Sequence, residues 1–319
     1  MSRGFSHLWE VEDMRVAAID IGTNTVLLLV AEKRDGLLVA VEEHATITRL
    51  GQGVDKTRQL APEAIERTSA CLDRYAAIVE RLGVAKIAVV GTSAMRDAGG
   101  GEAIRVHVEK RFGVSARTIS GDEEARLTFA GALSGLSLPD GRVVVFDIGG
   151  GSTEIVDGDR STRAIVFAHS YDVGSVRLTE RHVHADPPSE SEREAVARAA
   201  GEAFASVPAS VRGRPVVGIA GTITTLAAVS LGMATYDGAR VHGHTIPLAE
   251  LERVVTLLAA VPLAERRAIA GLEPKRADVI VAGGLVTLAL LRQLGAPSVV
   301  VSDRGVRWGL AEELANASL

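Results

Sequence analysis

The sequence carries the same short phrase twice, and this repeat constrains the fold more than any other feature. Val16 to Ile19 is an apolar run that ends in Asp20-Ile21-Gly22-Thr23-Asn24-Thr25 and passes at once into a second apolar run, Val26 to Val30. Val143 to Phe146 ends in Asp147-Ile148-Gly149-Gly150-Gly151-Ser152-Thr153 and passes into Glu154-Ile155-Val156. Two β-forming runs joined by a glycine-bearing polar turn read as a β-hairpin. A shared tripeptide alone would be a weak argument. Matching strands before and after it, recurring after about one domain's length of chain, point to duplication.

Strands and helices alternate around both hairpins. A strand is expected at 37–43, then a helix at 61–82 with Pro62 in its first turn and Gly83 just past its end, the usual punctuation of a helix. Strands near 87–90 and 116–119 flank a helix at about 102–112, and the second of them delivers the chain to Ser120-Gly121-Asp122-Glu123-Glu124-Ala125-Arg126. The second half predicts a charged helix at 190–205, a strand at 215–219, a helix opened by Gly221-Thr222, and a helix at 248–258. A buried helix at 277–294 should be interrupted near Gly283-Gly284. The last strand is Ser298 to Val301, and Asp303 offers a cap to a terminal helix. Such alternation indicates an α/β architecture, and the hairpins make each sheet mixed rather than wholly parallel. The 319 residues accommodate two domains of ordinary size. The expected bounds are 14–136 and 137–319, divided near Pro139-Asp140-Gly141, with the terminal helix (about 304–316) able to pack back on the first lobe.

A tight glycine-rich turn aims several backbone N–H groups into one concavity, which binds phosphate oxygens, and the small residues let an anion come close. Thr23, Asn24, Ser152 and Thr153 add side-chain donors there. Asp20 and Asp147, at the heads of the turns, would repel phosphate unless a divalent cation lay between them. Oxygen-only carboxylate ligands suit Mg²⁺, which takes one or two carboxylates plus substrate phosphate. Glu154 stands across the second hairpin from Asp147 and is able to face the same cleft, where it can hold a metal-bound water or share duty as a base. Two such half-sites facing each other would clamp an oligophosphate in an interdomain cleft. Gly221 and Thr222 open a helix after a strand, a further anion site, although a plain N-cap explains Thr222 nearly as well.

Other classes are disfavoured. There is no G-x-x-x-x-G-K-[ST] phosphate loop and no dinucleotide fingerprint after the first strand. A net charge of −5 and 3% aromatic residues argue against a nucleic-acid surface. The single cysteine, Cys71, excludes an internal disulfide and reads as a buried thiol in a reducing compartment. Met1 to Asp13 lack the apolar core of a signal peptide, and no apolar run reaches the ~18 residues of a membrane span, so a cytoplasmic protein is expected. His182/His184 and His242/His244 have the spacing of one strand face. Without further ligands they read as structural.

Several stretches together carry a resemblance. Asp20 to Thr25, Gly91-Thr92-Ser93-Ala94-Met95-Arg96, Gly121 to Arg126 and Asp147 to Glu154 stand in the order found in the exopolyphosphatase and guanosine pentaphosphate phosphohydrolase family. Arg49-Leu50-Gly51-Gln52-Gly53-Val54, Gly221-Thr222-Ile223-Thr224 and Arg276 to Ile280 are similar to it as well. The resemblance covers essentially Met14 to Leu319 and is to the short, two-domain class. It implies a duplicated actin-like (ribonuclease H-like) fold and Mg²⁺-dependent release of orthophosphate from the end of inorganic polyphosphate. In that family Glu124 matches the general base that activates water, a choice over Glu123 that the residues alone leave open; Glu123 would then be the solvent-facing neighbour. Arg96 matches a phosphate-contacting arginine, and its planar fork suits that task. Arg276, Arg304 and Arg307 are long enough to reach an extended phosphate chain, although each taken singly reads as a solvated helix charge. A homodimer is implied by the resemblance alone. The alternatives are hydrolysis of guanosine pentaphosphate at the same site, a kinase of the same superfamily, and a non-catalytic polyphosphate or nucleotide sensor.

Overall fold

The computed structural model describes residues 14–52 and 54–317, so the reading of Met1–Asp13 lies outside the described residues. The chain forms two compact units, residues up to 124 together with those from 307, and residues 125–306. The division falls inside the helix Gly121–Leu133, earlier than the Pro139-Asp140-Gly141 turn. The helix serves two cores in succession. Its first turn carries Glu123 and Glu124, bound to Arg117 and Arg96, whereas Phe129, Ala132 and Leu133 pack with Val143, Val145, Val156 and Val217.

The first unit is built on a five-stranded sheet: β1 (Val16–Ile21), β2 (Thr25–Arg34), β3 (Leu37–Ile47), β4 (Lys86–Gly91) and β5 (Ala116–Thr118), in the order β3-β2-β1-β4-β5. β1 pairs antiparallel with β2 and parallel with β4, and all six of its residues are buried. This central position explains its uninterrupted apolar run. The helix Pro62–Arg81 covers the sheet through Ala64, Thr68, Cys71, Leu72, Tyr75 and Val79, the three-and-four spacing of a single buried face. Tyr75 donates its hydroxyl to the Val26 carbonyl (3.0 Å), fixing the helix over the hairpin. Gly83, with φ +61°, ends the helix in the left-handed conformation that glycine adopts without strain.

The second unit repeats the plan. Its strands are β6 (Arg142–Ile148), β7 (Thr153–Asp159), β8 (Ile165–Tyr171), β9 (Val216–Ile219), β10 (Thr245–Pro247) and β11 (Ser298–Val301). Their order is β10-β11-β9-β6-β7-β8. Read from β8 to β11 this is the order of the first sheet, with three antiparallel strands followed by two parallel ones. β10 is an addition at the edge. Phe146 is fully buried in the middle of β6, and truncating such a residue to alanine costs about 3–5 kcal/mol.

The helix Ile280–Leu294 is continuous, contrary to the interruption expected at Gly283-Gly284. Both glycines are buried, and both serve close packing. A Cβ on Gly283 would lie 2.7 Å from the Thr222 methyl, and one on Gly284 would lie 2.5 Å from Val255. The terminal helix Val306–Asn316 belongs to the first unit from Arg307 onward, where Arg307 bonds Glu43 (2.7 Å) and Lys33 bonds Asn316 (2.8 Å). Asp303 precedes that helix and sits 3.2 Å from His242 Nδ1. No helix among the described residues is long and apolar enough to cross a membrane.

Candidate active site

β1 places Asp20 one residue before its end, so the carboxylate sits at the mouth of the first hairpin yet is only 7% exposed. Its Oδ1 is buried and has no hydrogen-bond partner among the described residues. Burial, and secondarily the charge of Glu124, push its pKa up to about 7, while Arg307 pulls it down. The turn closes with Gly22 N–H donating to Thr25 O (3.0 Å). The carbonyls of Thr23 and Asn24 are held from behind by the N–H groups of Gly51, Thr48 and Arg49 (2.8–3.0 Å). Thr23 and Asn24 are exposed and line, with Arg49, Gly51 and Gln52, a cavity of about 270 Å³.

The helix Gly121–Leu133 brings its first turn to the same region of the unit. Glu124 Oε2 lies 3.2 Å from Arg96 Nη1, and that nitrogen also donates to Ile119 O (3.0 Å). Glu123 is bound to Arg117 (2.5 Å) instead. Its side chain is 26% exposed against 32% for Glu124, which corrects the picture of Glu123 as a mere solvent-facing neighbour. The structure therefore separates the two glutamates. Glu124 keeps company with Arg96 and Asp20, and Glu123 is committed to Arg117.

In the second unit Asp147 on β6 and Glu154 on β7 are directly opposed in register, so both side chains leave the same face of the sheet. Ser170 on β8 donates to Glu154 Oε1 (2.7 Å). Gly149 N–H donates to Ser152 O (2.9 Å), the same closure as in the first hairpin. The carbonyls of Gly149 and Gly150 are held from behind by the N–H groups of Ser175, Val176 and Arg177, all at 2.9 Å. Among the described residues no hydrogen bond uses the N–H of Gly150, Gly151 or Ser152. Such an array suits a phosphate oxygen.

Two hydroxyls expected to serve as donors do not reach out. Thr153 is fully buried and donates to Val173 O (2.7 Å). Thr222, 3% exposed, donates to Ile148 O (2.8 Å) and is not the N-cap, which is Ile219. What remains at that turn is backbone. Ala220 has φ +64°, a left-handed conformation unusual for alanine, and a Cβ on Gly221 would collide with the Arg276 guanidinium. Arg276 thus covers the turn, while Arg304 is turned to Ser134 O (3.1 Å) and Arg307 to Glu43. The histidines do not form strand-face pairs: His182 ends a helix, and His242 follows a short helix and faces Asp303.

Asp20, Asp147 and Glu154 are the expected metal ligands. No group of three or more acidic, histidine or cysteine side chains among the described residues makes a self-sufficient metal cage. The buried, unsatisfied Oδ1 of Asp20 nevertheless suits a hard cation that takes its other ligands from substrate and water, as Mg²⁺ does. Sequence reasoning missed Ser170, because β8 itself was not singled out, although Ile165-Val166-Phe167 is β-rich. It also missed the backing of the second turn by the helix Ser175–His182.

Comparison with known proteins shows the family. The profile of the Ppx/GppA phosphatase family matches residues 29–317. Exopolyphosphatase 2 of Mycobacterium tuberculosis is 40% identical over 94% of this chain and 98% of its own length. Guanosine-5'-triphosphate,3'-diphosphate pyrophosphatase of Aeromonas hydrophila is 29% identical, over 92% of this chain and 58% of its own length. The crystal structure of the Aquifex aeolicus Ppx/GppA family member superimposes with a TM-score of 0.85 at 33% identity, covering 96% of this chain and 99% of that one. The chain belongs to the Ppx/GppA phosphatase family.

Proposed function

We propose that this protein is an exopolyphosphatase that hydrolyses the terminal phosphoanhydride bond of inorganic polyphosphate and releases orthophosphate. The observation that carries the reading is the placement of Glu124 beside Arg96 and Asp20, apart from the Arg117-bound Glu123. Glu124 takes a proton from water as the water oxygen attacks the terminal phosphorus. The bond from that phosphorus to its bridging oxygen breaks, and the electron pair stays with the shortened chain. Arg96 steadies a non-bridging oxygen with charge-assisted hydrogen bonds. The N–H groups of Gly150, Gly151 and Ser152 offer fixed donors that need no reorganisation as charge develops. Asp20 in the first unit, and Asp147 and Glu154 in the second, are each carboxylates able to take Mg²⁺, which would supply neutralisation of phosphate charge when bound. A reducing cytoplasm, supported by the lone buried Cys71, and a homodimer complete the proposal.

A second reading, hydrolysis of guanosine pentaphosphate, is favoured by one specific observation, the similarity to the Aeromonas pyrophosphatase. Phosphate release from short and long polyphosphates and from guanosine pentaphosphate, with Mg²⁺, tests both. We expect Glu124→Ala to lower turnover about 10²- to 10⁴-fold, the usual worth of a general base. Full activity in that variant overturns the assignment of the base. Release from neither substrate by the wild type overturns the hydrolase reading, and release from guanosine pentaphosphate alone establishes the second.

A further inference from the structure

Resting on the polyphosphatase reading, we infer that Arg177 is a further phosphate-binding residue, which both locks the second glycine turn and adds the cationic contact that the turn's own sequence lacks. The segment Gly149 to Ser152 contains no cationic side chain, and Asp147 and Glu154 flank it. An anion there needs positive charge from elsewhere in the unit. The helix Ser175–His182 provides it. Arg177 Nε donates to Gly151 O at 2.6 Å, and its backbone N–H donates to Gly150 O at 2.9 Å, so one residue grips two successive carbonyls of the turn. With those carbonyls turned back toward the helix, the N–H groups of Gly150, Gly151 and Ser152 are left for a ligand.

The guanidinium is itself available. A Cβ built on Gly151 would lie 3.6 Å from Nη2, so the charged fork sits alongside the turn rather than away from it. Its side chain is 37% exposed. Its carboxylate neighbour, Asp172, is 3.5 Å away and 93% exposed, a solvated pair that contributes little and yields readily to a phosphate. A guanidinium has five N–H donors, and the contacts to Gly151 and Asp172 engage Nε and Nη2. The remaining donors can meet non-bridging oxygens. The close seat of the helix also requires Gly174, where a Cβ would come within 2.5 Å of Gly150 O. That brings Arg177 to the turn as a built feature of the packing.

The test uses Arg177→Gln, whose amide can still donate to Gly151 O without charge, and Arg177→Lys, which keeps charge without the fork. Steady-state kinetics on polyphosphate of defined length should show KM raised about 10- to 100-fold in Arg177→Gln, as for loss of a charged hydrogen bond. Turnover at saturation should change less than KM, with unchanged thermal unfolding. Arg177→Lys should recover part of the affinity, and the salt dependence of KM should be shallower in Arg177→Gln than in the wild type. Wild-type KM in a folded Arg177→Gln variant overturns the proposal, because it reduces Arg177 to a structural latch. Tripolyphosphate binding, measured by calorimetry on wild type and Arg177→Gln, separates this outcome from failure of the functional reading. If the wild type binds tripolyphosphate but hydrolyses nothing, the hydrolase reading fails while weaker binding by the variant still supports Arg177. Equal binding by the two overturns it.

Discussion

At the head of the first hairpin Asp20 stands opposite Leu27; at the head of the second, Asp147 stands opposite Glu154. The backbone plan is otherwise shared. Each turn closes by a glycine N–H on the carbonyl three residues ahead, and each has its carbonyls tied from behind by the segment that follows the third strand. The difference lies in how charge is carried. At its head the first hairpin holds one carboxylate, buried and raised in pKa by that burial and by the charge of Glu124. The second holds two opposed carboxylates, one of them steadied by Ser170. A carboxylate that burial keeps near neutrality is poised to gain when a cation arrives, whereas an opposed pair offers two oxygen ligands on one sheet face. The two turns share one backbone plan, and the difference at one position, Leu27 against Glu154, separates their electrostatics.

Asp20→Asn should break the comparison most sharply, since it moves activity and stability in opposite directions. Removing the carboxylate should lower turnover about 10²- to 10³-fold, as for loss of a preorganised charge at a reacting centre. The stability effect follows from the raised pKa. Asp20 is favoured in its protonated form by the fold, so the stability associated with it is complete below its unfolded value of 3.8 and is lost as pH rises through about 7. At pH 8 without divalent cations the ionised carboxylate costs the fold at most about 4 kcal/mol. Asp20→Asn should therefore unfold at a higher temperature than the wild type at pH 8, and at nearly the same temperature at pH 3.5. Thermal scans in chelator at both pH values check this. Excess Mg²⁺ should stabilise the wild type at pH 8 more than it stabilises the variant.

Gly174→Ala and Gly51→Ala compare how the two turns are backed. At Gly174 the added methyl meets backbone, with Gly150 O at 2.5 Å and Gly151 N at 2.7 Å. At Gly51 it meets the tip of the Thr23 side chain, which can rotate. We expect Gly174→Ala to cost about 1–3 kcal/mol through backbone displacement and to raise KM. Gly51→Ala should cost less. Denaturant titration of the two variants decides the order, and equal costs would show that the turns are backed with equal rigidity.

The mixed α/β class, both hairpins and the acids at their heads were legible because they rest on local signals: apolar runs, glycine turns and the strand-to-turn transition. Thr153 and Thr222 were misread because a hydroxyl's partner is set by tertiary packing. The carbonyls of Val173 and Ile148 that hold them are far away in sequence. Gly283-Gly284 read as a helix break for the same reason, since only the packed structure shows that Thr222 and Val255 require glycine there. Glu124 could not be told from Glu123 by spacing. Arg117 and Arg96, which distinguish them, come from two other elements.

Glu154→Gln sharpens the charge difference itself. Removing one member of the opposed pair leaves Asp147 as the one carboxylate at the head of the second hairpin, as Asp20 is at the head of the first. Because the amide can still accept from Ser170, the loss is one of charge rather than position. A reduction in kcat/KM of about tenfold, or roughly 1.4 kcal/mol, is expected. Restoration of activity by a higher Mg²⁺ concentration would assign the loss to cation binding. No restoration would assign it to proton transfer.

Ser170→Ala probes the same carboxylate from the other side and should have the smallest effect. The hydroxyl lies on an edge strand in an exposed position, 2.7 Å from Glu154 Oε1. Water can replace much of what it provides, so its net worth is about 1 kcal/mol. Turnover should fall no more than about fivefold, with the fold intact. If Ser170→Ala instead matches Glu154→Gln, the Glu154 rotamer depends on this one hydrogen bond, and the strand β8 becomes part of the catalytic apparatus. If it matches the wild type, the opposition of Glu154 to Asp147 in the β6–β7 register is enough to orient the pair, and the hairpin alone carries the charge difference between the two units.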